Sequence, residues 1–302
     1  MSDEAGSRLE TPQARILVLG ASNVVLHLPA IERAVRRRLG KGVELLVVGG
    51  LGRSYGLPTR VLLRSLPAVV ESDVWRWLAH SPRRPLHALV TDVGNDVLYG
   101  EPVDRILGWV DTCLARLESF NARIAVMRLP MSRLARVTPS GYAWLRRMFY
   151  PTRRVPYAAA MERAGQLDDG LVRLGLAHGA TTIAPEAAWY GLDPIHIRRR
   201  SGDKAWDSIV ADLLREPTRD SPFGATTAGA PMTAEAHQRS TRRDLRAGWM
   251  NELRTWALLR TRWPAACRFA GVPLVRRAGD DRDTISWPTA ATLPGGVVIR
   301  TF

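Results

Sequence analysis

Short apolar runs alternate with amphipathic segments over the first two thirds of the chain. Arg15 to Leu19 is an apolar run closed by Gly20, the signature of a buried strand. Leu26 to Leu39 has helical spacing and stops at Gly40, and Pro29 is tolerable there only in the first turn. Val43 to Val48 predicts a second strand, which runs into a glycine-rich turn from Gly49 to Gly56. Thr59 to Leu78 reads as mostly helical with a break at Pro67, and Ala88 to Val93 as a third strand. In Pro102 to Phe120 the residues Ile106, Val110, Cys113 and Leu117 share a helix face, and Pro102 suits the first helical position. Arg123 to Leu129 predicts a fourth strand ended by Pro130. Tyr157 to Leu174 predicts a helix, Ala180 to Ile183 a short fifth strand, and Ala205 to Leu214 a further helix.

Strands that are apolar on both faces, separated by helices, argue for a parallel sheet covered on both sides. The expected fold is a three-layer α/β/α sandwich around a mainly parallel five-stranded sheet, flavodoxin-like in outline, spanning residues 13–216. Composition changes after Leu214. Residues 217–240 are rich in Thr, Ser, Gly, Ala and Pro and read as a linker. Residues 241–302 form a basic, Trp-containing C-terminal extension. Within it, 247–263 has helical spacing with Trp249, Leu253, Trp256 and Leu259 near one face. That segment suits either packing on the main domain or contact with a membrane surface. Pro294-Gly295-Gly296 before Val297-Val298-Ile299 suggests a hairpin at the end of the tail.

Composition narrows the class. At 46% hydrophobic, the 302-residue chain is folded rather than disordered. No apolar run reaches the roughly 18 residues needed for a spanning helix. Met1 to Pro12 is acidic and polar, unlike a secretory signal, and the two cysteines, Cys113 and Cys267, supply no disulfide framework. Cytoplasmic residence is therefore expected. Net charge is +14, from 43 Lys and Arg against 29 Asp and Glu. Only Lys41 and Lys204 are lysines, and the arginines are scattered, with small clusters at 36–38, 198–200 and 242–243. No zinc-finger spacing or RNA-binding aromatic pattern accompanies them, so nucleic acid is not an expected partner.

Candidate chemistry sits at the strand ends, where open parallel sheets bind ligands. The first strand leads to Gly20-Ala21-Ser22-Asn23, the second to Gly49-Gly50-Leu51-Gly52, and the third to Asp92-Val93-Gly94-Asn95-Asp96. After the last strand comes Asp193-Pro194-Ile195-His196. A histidine base needs an acceptor on its second nitrogen, and an Asp three residues earlier supplies one from the same turn. Gly52-Arg53-Ser54-Tyr55-Gly56 offers a second serine, in a literal Gly-x-Ser-x-Gly. That elbow normally turns directly into a helix, which Pro58 delays. Among the other histidines, His27, His80, His87 and His178 show no metal-ligand spacing.

The four blocks, in this order, resemble the SGNH (GDSL) hydrolase family over about residues 15–214. The resemblance implies Ser22 as nucleophile, His196 as base and Asp193 as its orienting carboxylate. It implies an oxyanion hole from the Ser22 and Gly52 N–H groups and the Asn95 amide, with Gly50 as the alternative glycine. It also implies a small ester substrate, cleaved through an acyl-enzyme without metal or organic cofactor. Acyl transfer to an alcohol would use the same residues, and a basic binding protein on an inactive scaffold is the non-enzymatic alternative. Oligomeric state is left open by the pattern. Two departures stand out: Ala21 where the family commonly has Asp, and Val93 where it commonly has Gly.

Overall fold

In the computed structural model the described residues are 13–61, 64–150, 154–215, 290–292 and 297–302. The expected linker at 217–240 and helix at 247–263 lie outside them. The chain opens with strand β1 (Ala14–Leu19), then helices α1 (Ser22–Leu26) and α2 (Leu28–Leu39) and strand β2 (Val43–Val48). The helix expected at 26–39 is α2, and the short α1 precedes it, parted from it at His27. Pro29 occupies the first turn of α2, where its missing N–H costs nothing.

The helix expected over Thr59 to Leu78 is largely replaced. Strands β3 (Thr59–Val61) and β4 (Arg64–Leu66) pair antiparallel, and only α3 (Val74–His80) is helical beyond a single 3-10 turn. The pattern misleads because the segment is apolar without a clean helical period, and Pro67 keeps its preceding residue extended. Next come β5 (Leu86–Val90), α4 (Asn95–Leu98), α5 (Val103–Ser119) and β6 (Arg123–Met127). β5 stops before the expected Val93 because Asp92 adopts a left-handed backbone with φ of 59°. Two helices that the sequence reading left unassigned follow, α6 (Met131–Leu134) and α7 (Pro139–Phe149). Thr138 caps α7 by accepting the Gly141 N–H. Then come α8 (Tyr157–Ala177), β7 (Thr181–Ile183), α9 (Gly202–Leu214), β8 (Ala290–Thr292) and β9 (Val297–Thr301).

Among the described residues the sheet has seven strands in the order β7-β6-β5-β1-β2-β9-β8. It is two wider than the five read from the sequence. β9 pairs parallel with β2, and β8 lies antiparallel on β9 as the outermost strand. The period of two along β1 divides the core. Ile16 and Val18 pack toward α2 and α9, while Leu17 and Leu19 pack toward α5 and α8. Three layers result, one sheet between two layers of helices.

An ion cluster sets the position of β9. Glu44 on β2 receives the Arg15 guanidinium from β1 at 2.7 Å and that of Arg300 from β9 at 2.5 Å. Both guanidinium groups also stack on the Trp77 ring. Beside them, the Phe302 N–H donates to the Val47 carbonyl. On the opposite helical layer, Arg33 pairs with Asp203, Arg36 with Glu32, and Arg37 and Arg38 with Asp207. The arginine cluster at 36–38 is thus matched by acids of the fold. No helix among the described residues is long and apolar enough to cross a membrane.

Candidate active site

The carboxyl ends of β1, β2 and β5 lie side by side, so three turns distant in sequence meet at one edge. The first is the turn between β1 and α1. A Cβ on Gly20 would lie 2.5 Å from Val24 Cγ2 and 2.8 Å from Thr91 Cγ2, so only glycine allows this close approach. Ser22 follows at the first position of α1, nearly buried at 5% exposure. Its Oγ is 2.9 Å from His196 Nε2, and His196 Nδ1 is 2.6 Å from Asp193 Oδ2. Nδ1 therefore carries the hydrogen and donates to the carboxylate, which leaves Nε2 as the acceptor facing Ser22. These three residues form a Ser–His–Asp catalytic triad.

The Asp193 turn is locally organised. Asp193 Oδ1 accepts the N–H groups of Ile195 at 2.9 Å and His196 at 3.2 Å. Burial alone would push this carboxyl up. The neighbouring His196 and these hydrogen bonds outweigh burial and hold it below the ordinary 3.8. At the base of the loop, Tyr190 and Ile197 form an antiparallel bridge. Trp189 lies in the core beneath, and Tyr190 lines the cavity beside the triad.

The contact between Ser22 and His196 spans 174 positions of sequence and depends on a brace. Asn23 Oδ1 accepts the Ile197 N–H at 2.8 Å, and its Nδ2 donates to the Ile195 carbonyl at 3.0 Å. Asn23 thereby clasps the backbone on both sides of His196. His27 adds a bond from Nε2 to the Ile197 carbonyl at 2.9 Å. Burial pulls the His27 imidazole below its ordinary value, so it serves as a neutral donor. Asp92 supports Asn23 from the other side. Its Oδ2 accepts the Ala21 and Asn23 N–H groups, each at 3.0 Å, and its Oδ1 accepts Asn23 Nδ2 at 2.8 Å. A carboxylate from the turn after β5 thus supports the nucleophile turn in a chain that has Ala21 where an Asp is common.

Asn95 opens α4 and lines the cavity with Ser22. Tyr150 donates its hydroxyl to Asn95 Oδ1 at 2.8 Å, which fixes Nδ2 as the donor end. One Nδ2 hydrogen goes to the Arg53 carbonyl at 3.3 Å. The two candidate glycines differ. Gly50 donates its N–H to the Ala21 carbonyl at 3.4 Å. Gly52 adopts a positive φ of 63°, and its carbonyl accepts the Tyr99 hydroxyl at 2.5 Å. Neither glycine is among the described residues lining the cavity.

Ser54 is placed differently from Ser22. It is fully buried and donates its hydroxyl to Asp96, while its oxygen accepts the Leu57 N–H at 2.9 Å. Asp96 also accepts the Tyr55 N–H at 3.0 Å. The pair closes the glycine-rich turn, and the Ser54 hydroxyl is engaged by Asp96 and by the N–H groups of Gly56 and Leu57. Burial pushes the Asp96 carboxyl up to about 6, against the downward pull of Ser54 and Tyr55. Among the described residues no group of three or more His, Cys, Asp or Glu could hold a metal ion. The Cys113 thiol is buried, and burial pushes it up to about 12, which makes it unreactive.

The sequence reading had quoted Asn23 and Asp92 within their turns but given neither a role. It had not singled out Tyr150 or Phe149. Phe149, at the end of α7, brings its ring to 5.3 Å from that of His196. The spacing of Tyr142, Leu145 and Phe149 after a Thr-Pro start was the available signal for α7.

The sequence matches no protein-family model and no curated protein. Solved structures are similar in shape. Est24, a carbohydrate acetylesterase from Sinorhizobium meliloti, superposes with a TM-score of 0.50 at 13% identity, over 66% of this chain and 98% of that one. An aryl esterase from M. smegmatis gives a TM-score of 0.48 at 12% identity, over 67% and 98%. A psychrotrophic esterase, EstA, from Pseudoalteromonas gives 0.45 at 12% identity, over 66% and 96%. The likeness to Est24 shows a shared fold: a mostly parallel sheet covered by helices in a three-layer α/β/α architecture.

Proposed function

We propose that this protein is a serine esterase of the SGNH type, cleaving a carboxylic ester through a covalent acyl-enzyme. The observation that carries the reading is the continuous chain from Ser22 Oγ through His196 to Asp193, at 2.9 and 2.6 Å. His196 Nε2 takes the Ser22 proton as Oγ attacks the ester carbonyl carbon. Asp193 stabilises the resulting imidazolium and holds the ring in place. The carbonyl oxygen becomes an oxyanion. The Ser22 N–H and the second Asn95 Nδ2 hydrogen would bind it, with the Gly52 N–H as third donor. The alcohol then leaves with the proton from Nε2, and the ester carbon stays bonded to Oγ. A water molecule deprotonated by the same nitrogen hydrolyses this acyl-enzyme, releasing the acid and restoring Ser22.

The orientation of Asn95 supports its role. Tyr150 fixes the amide with its donor end outward, so no reorganisation is needed as charge develops. Loss of one such donor costs about a hundredfold or more in rate. The test is intact-mass analysis after treatment with a small fluorophosphonate, followed by peptide mapping. A single adduct on Ser22 is expected, absent from Ser22→Ala and retained in Ser54→Ala. An adduct on Ser54, or none on folded protein with any size of probe, would overturn the proposal.

A further inference from the structure

Beside Ser22 lies a cavity of about 100 Å³, room for several water-sized groups in line. Its walls are mostly apolar. Val93 and Leu129 rise from the strand ends, Leu145 and Phe149 come from α7, and Ala160 and Ala164 come from α8. The two alanines are one helical turn apart and share a face. Both are buried and line the cavity, where a methyl side chain takes up less of the space than a longer one would. The charged groups on the rim have partners. Arg128 is held by Asp168 at 2.6 Å, and Asp92 is engaged in the brace. A sugar in this space would find few hydrogen-bond partners for its hydroxyls against mostly apolar walls and would lose water at a net cost. An alkyl chain would gain.

The chemistry decides which half of the ester enters. The alcohol oxygen must take its proton from His196 Nε2 and then depart through the mouth. The acyl group stays bonded to Ser22 until water arrives. A mostly apolar pocket that touches the nucleophile and is walled by α7 and α8 suits the half that stays. We infer that the cavity is an acyl-chain site and that this enzyme prefers esters of unbranched aliphatic acids longer than acetate, with Ala160 and Ala164 setting the length accepted. The inference rests on the serine-esterase reading and narrows its substrate class.

Each methylene that enters an apolar site is worth roughly fourfold in kcat/KM. The test compares 4-nitrophenyl esters from acetate to decanoate, with the alcohol constant, and a second series of acetates of different alcohols. Expected is a rise of about fourfold per methylene up to an optimum beyond acetate, and a much flatter response to the alcohol. Ala164→Leu should lower the hexanoate-to-acetate ratio of kcat/KM at least tenfold. Leu145→Ala should move the optimum to longer chains. The second variant opens space where the first fills it, so a folding defect in one does not imitate the pair. Labelling of Ser22 by a small fluorophosphonate is measured in parallel. If Ser22 labels but acetate is turned over as well as hexanoate, or neither variant shifts the optimum, the acyl-site inference fails while the esterase reading stands. If Ser22 does not label at all, both fall.

Discussion

Replacing Asp92 by Asn isolates the brace behind the triad. The change keeps shape and volume, and Asn tolerates the left-handed backbone at this position as well as Asp does. In the wild type the two carboxylate oxygens accept three N–H groups, at 3.0, 3.0 and 2.8 Å. In the variant one oxygen becomes an NH2. If the remaining oxygen serves the Ala21 and Asn23 backbone, the NH2 faces the donor end of Asn23. Asn23 cannot turn over to relieve this clash. Its Oδ1 and Nδ2 are already committed, in that orientation, to Ile197 and Ile195.

One charge-assisted bond is therefore lost and two become neutral. At about 1.5–3 kcal/mol for a bond to a charged group and about 0.5–1.5 for a neutral one, the folded state loses roughly 5 kcal/mol. Kinetically, a displacement of reacting groups by about 1 Å costs on the order of a hundredfold. We expect kcat to fall between about tenfold and a hundredfold, with KM changed less than about threefold. The brace touches the nucleophile turn more closely than it touches the apolar walls that hold substrate. The assay is steady-state hydrolysis of a 4-nitrophenyl ester, with urea denaturation alongside. A kcat within about twofold of wild type in both Asp92→Asn and Asp92→Ala would show that the triad holds its alignment without this carboxylate.

Two further outcomes follow from buried charges. Glu44→Gln leaves the guanidinium groups of Arg15 and Arg300 without a carboxylate, and removing one partner from such a buried cluster costs roughly 3–5 kcal/mol. Urea denaturation reads this directly, and a loss under about 1 kcal/mol would mean that β9 is held by packing alone. Asp96 makes the pH response testable. Its folded value of about 6 lies above the ordinary 3.8, so between these limits the folded state keeps a proton that the unfolded chain has lost. Stability therefore falls as pH rises through that window, by roughly 3 kcal/mol in total, and levels off above it. Asp193 acts oppositely and lower: its depressed value gives stability above 3.8 that is lost as pH falls through the folded value. Asp96→Asn should abolish the decline between about pH 4 and 6, seen as the difference between urea midpoints of the two proteins. Parallel curves would refute the assignment.

The parts legible in the sequence are those governed by neighbours along the chain. β1, β2, β5 and β6 are apolar on both faces because each is buried on both faces, and α5 shows its inner stripe of Ile106, Val110, Cys113 and Leu117. The Asp193 to His196 pair was legible because a three-residue turn brings the two side chains together on its own. Ser22 was legible only through the order of the blocks, since its distance to His196 is set by the assembled sheet. The parts that were not legible depend on strand order and register. Asp92 can brace Asn23 only because β5 lies directly beside β1, which no local pattern in either strand encodes. The hairpin expected at the end of the tail is present as β8 and β9, but its place in the main sheet was not legible, because β9 reaches β2 from far along the chain and meets Glu44, whose carboxylate would read as an ordinary exposed charge. Ser54 sits in a motif that resembles a nucleophile elbow, yet burial against Asp96 makes it a structural tie. The amino-acid order thus determined which segments become strands and helices and which residues could carry acyl chemistry. Only the tertiary structure decided which carboxylate supports which turn and which serine faces a histidine, because those pairings depend on distances between strands rather than along them.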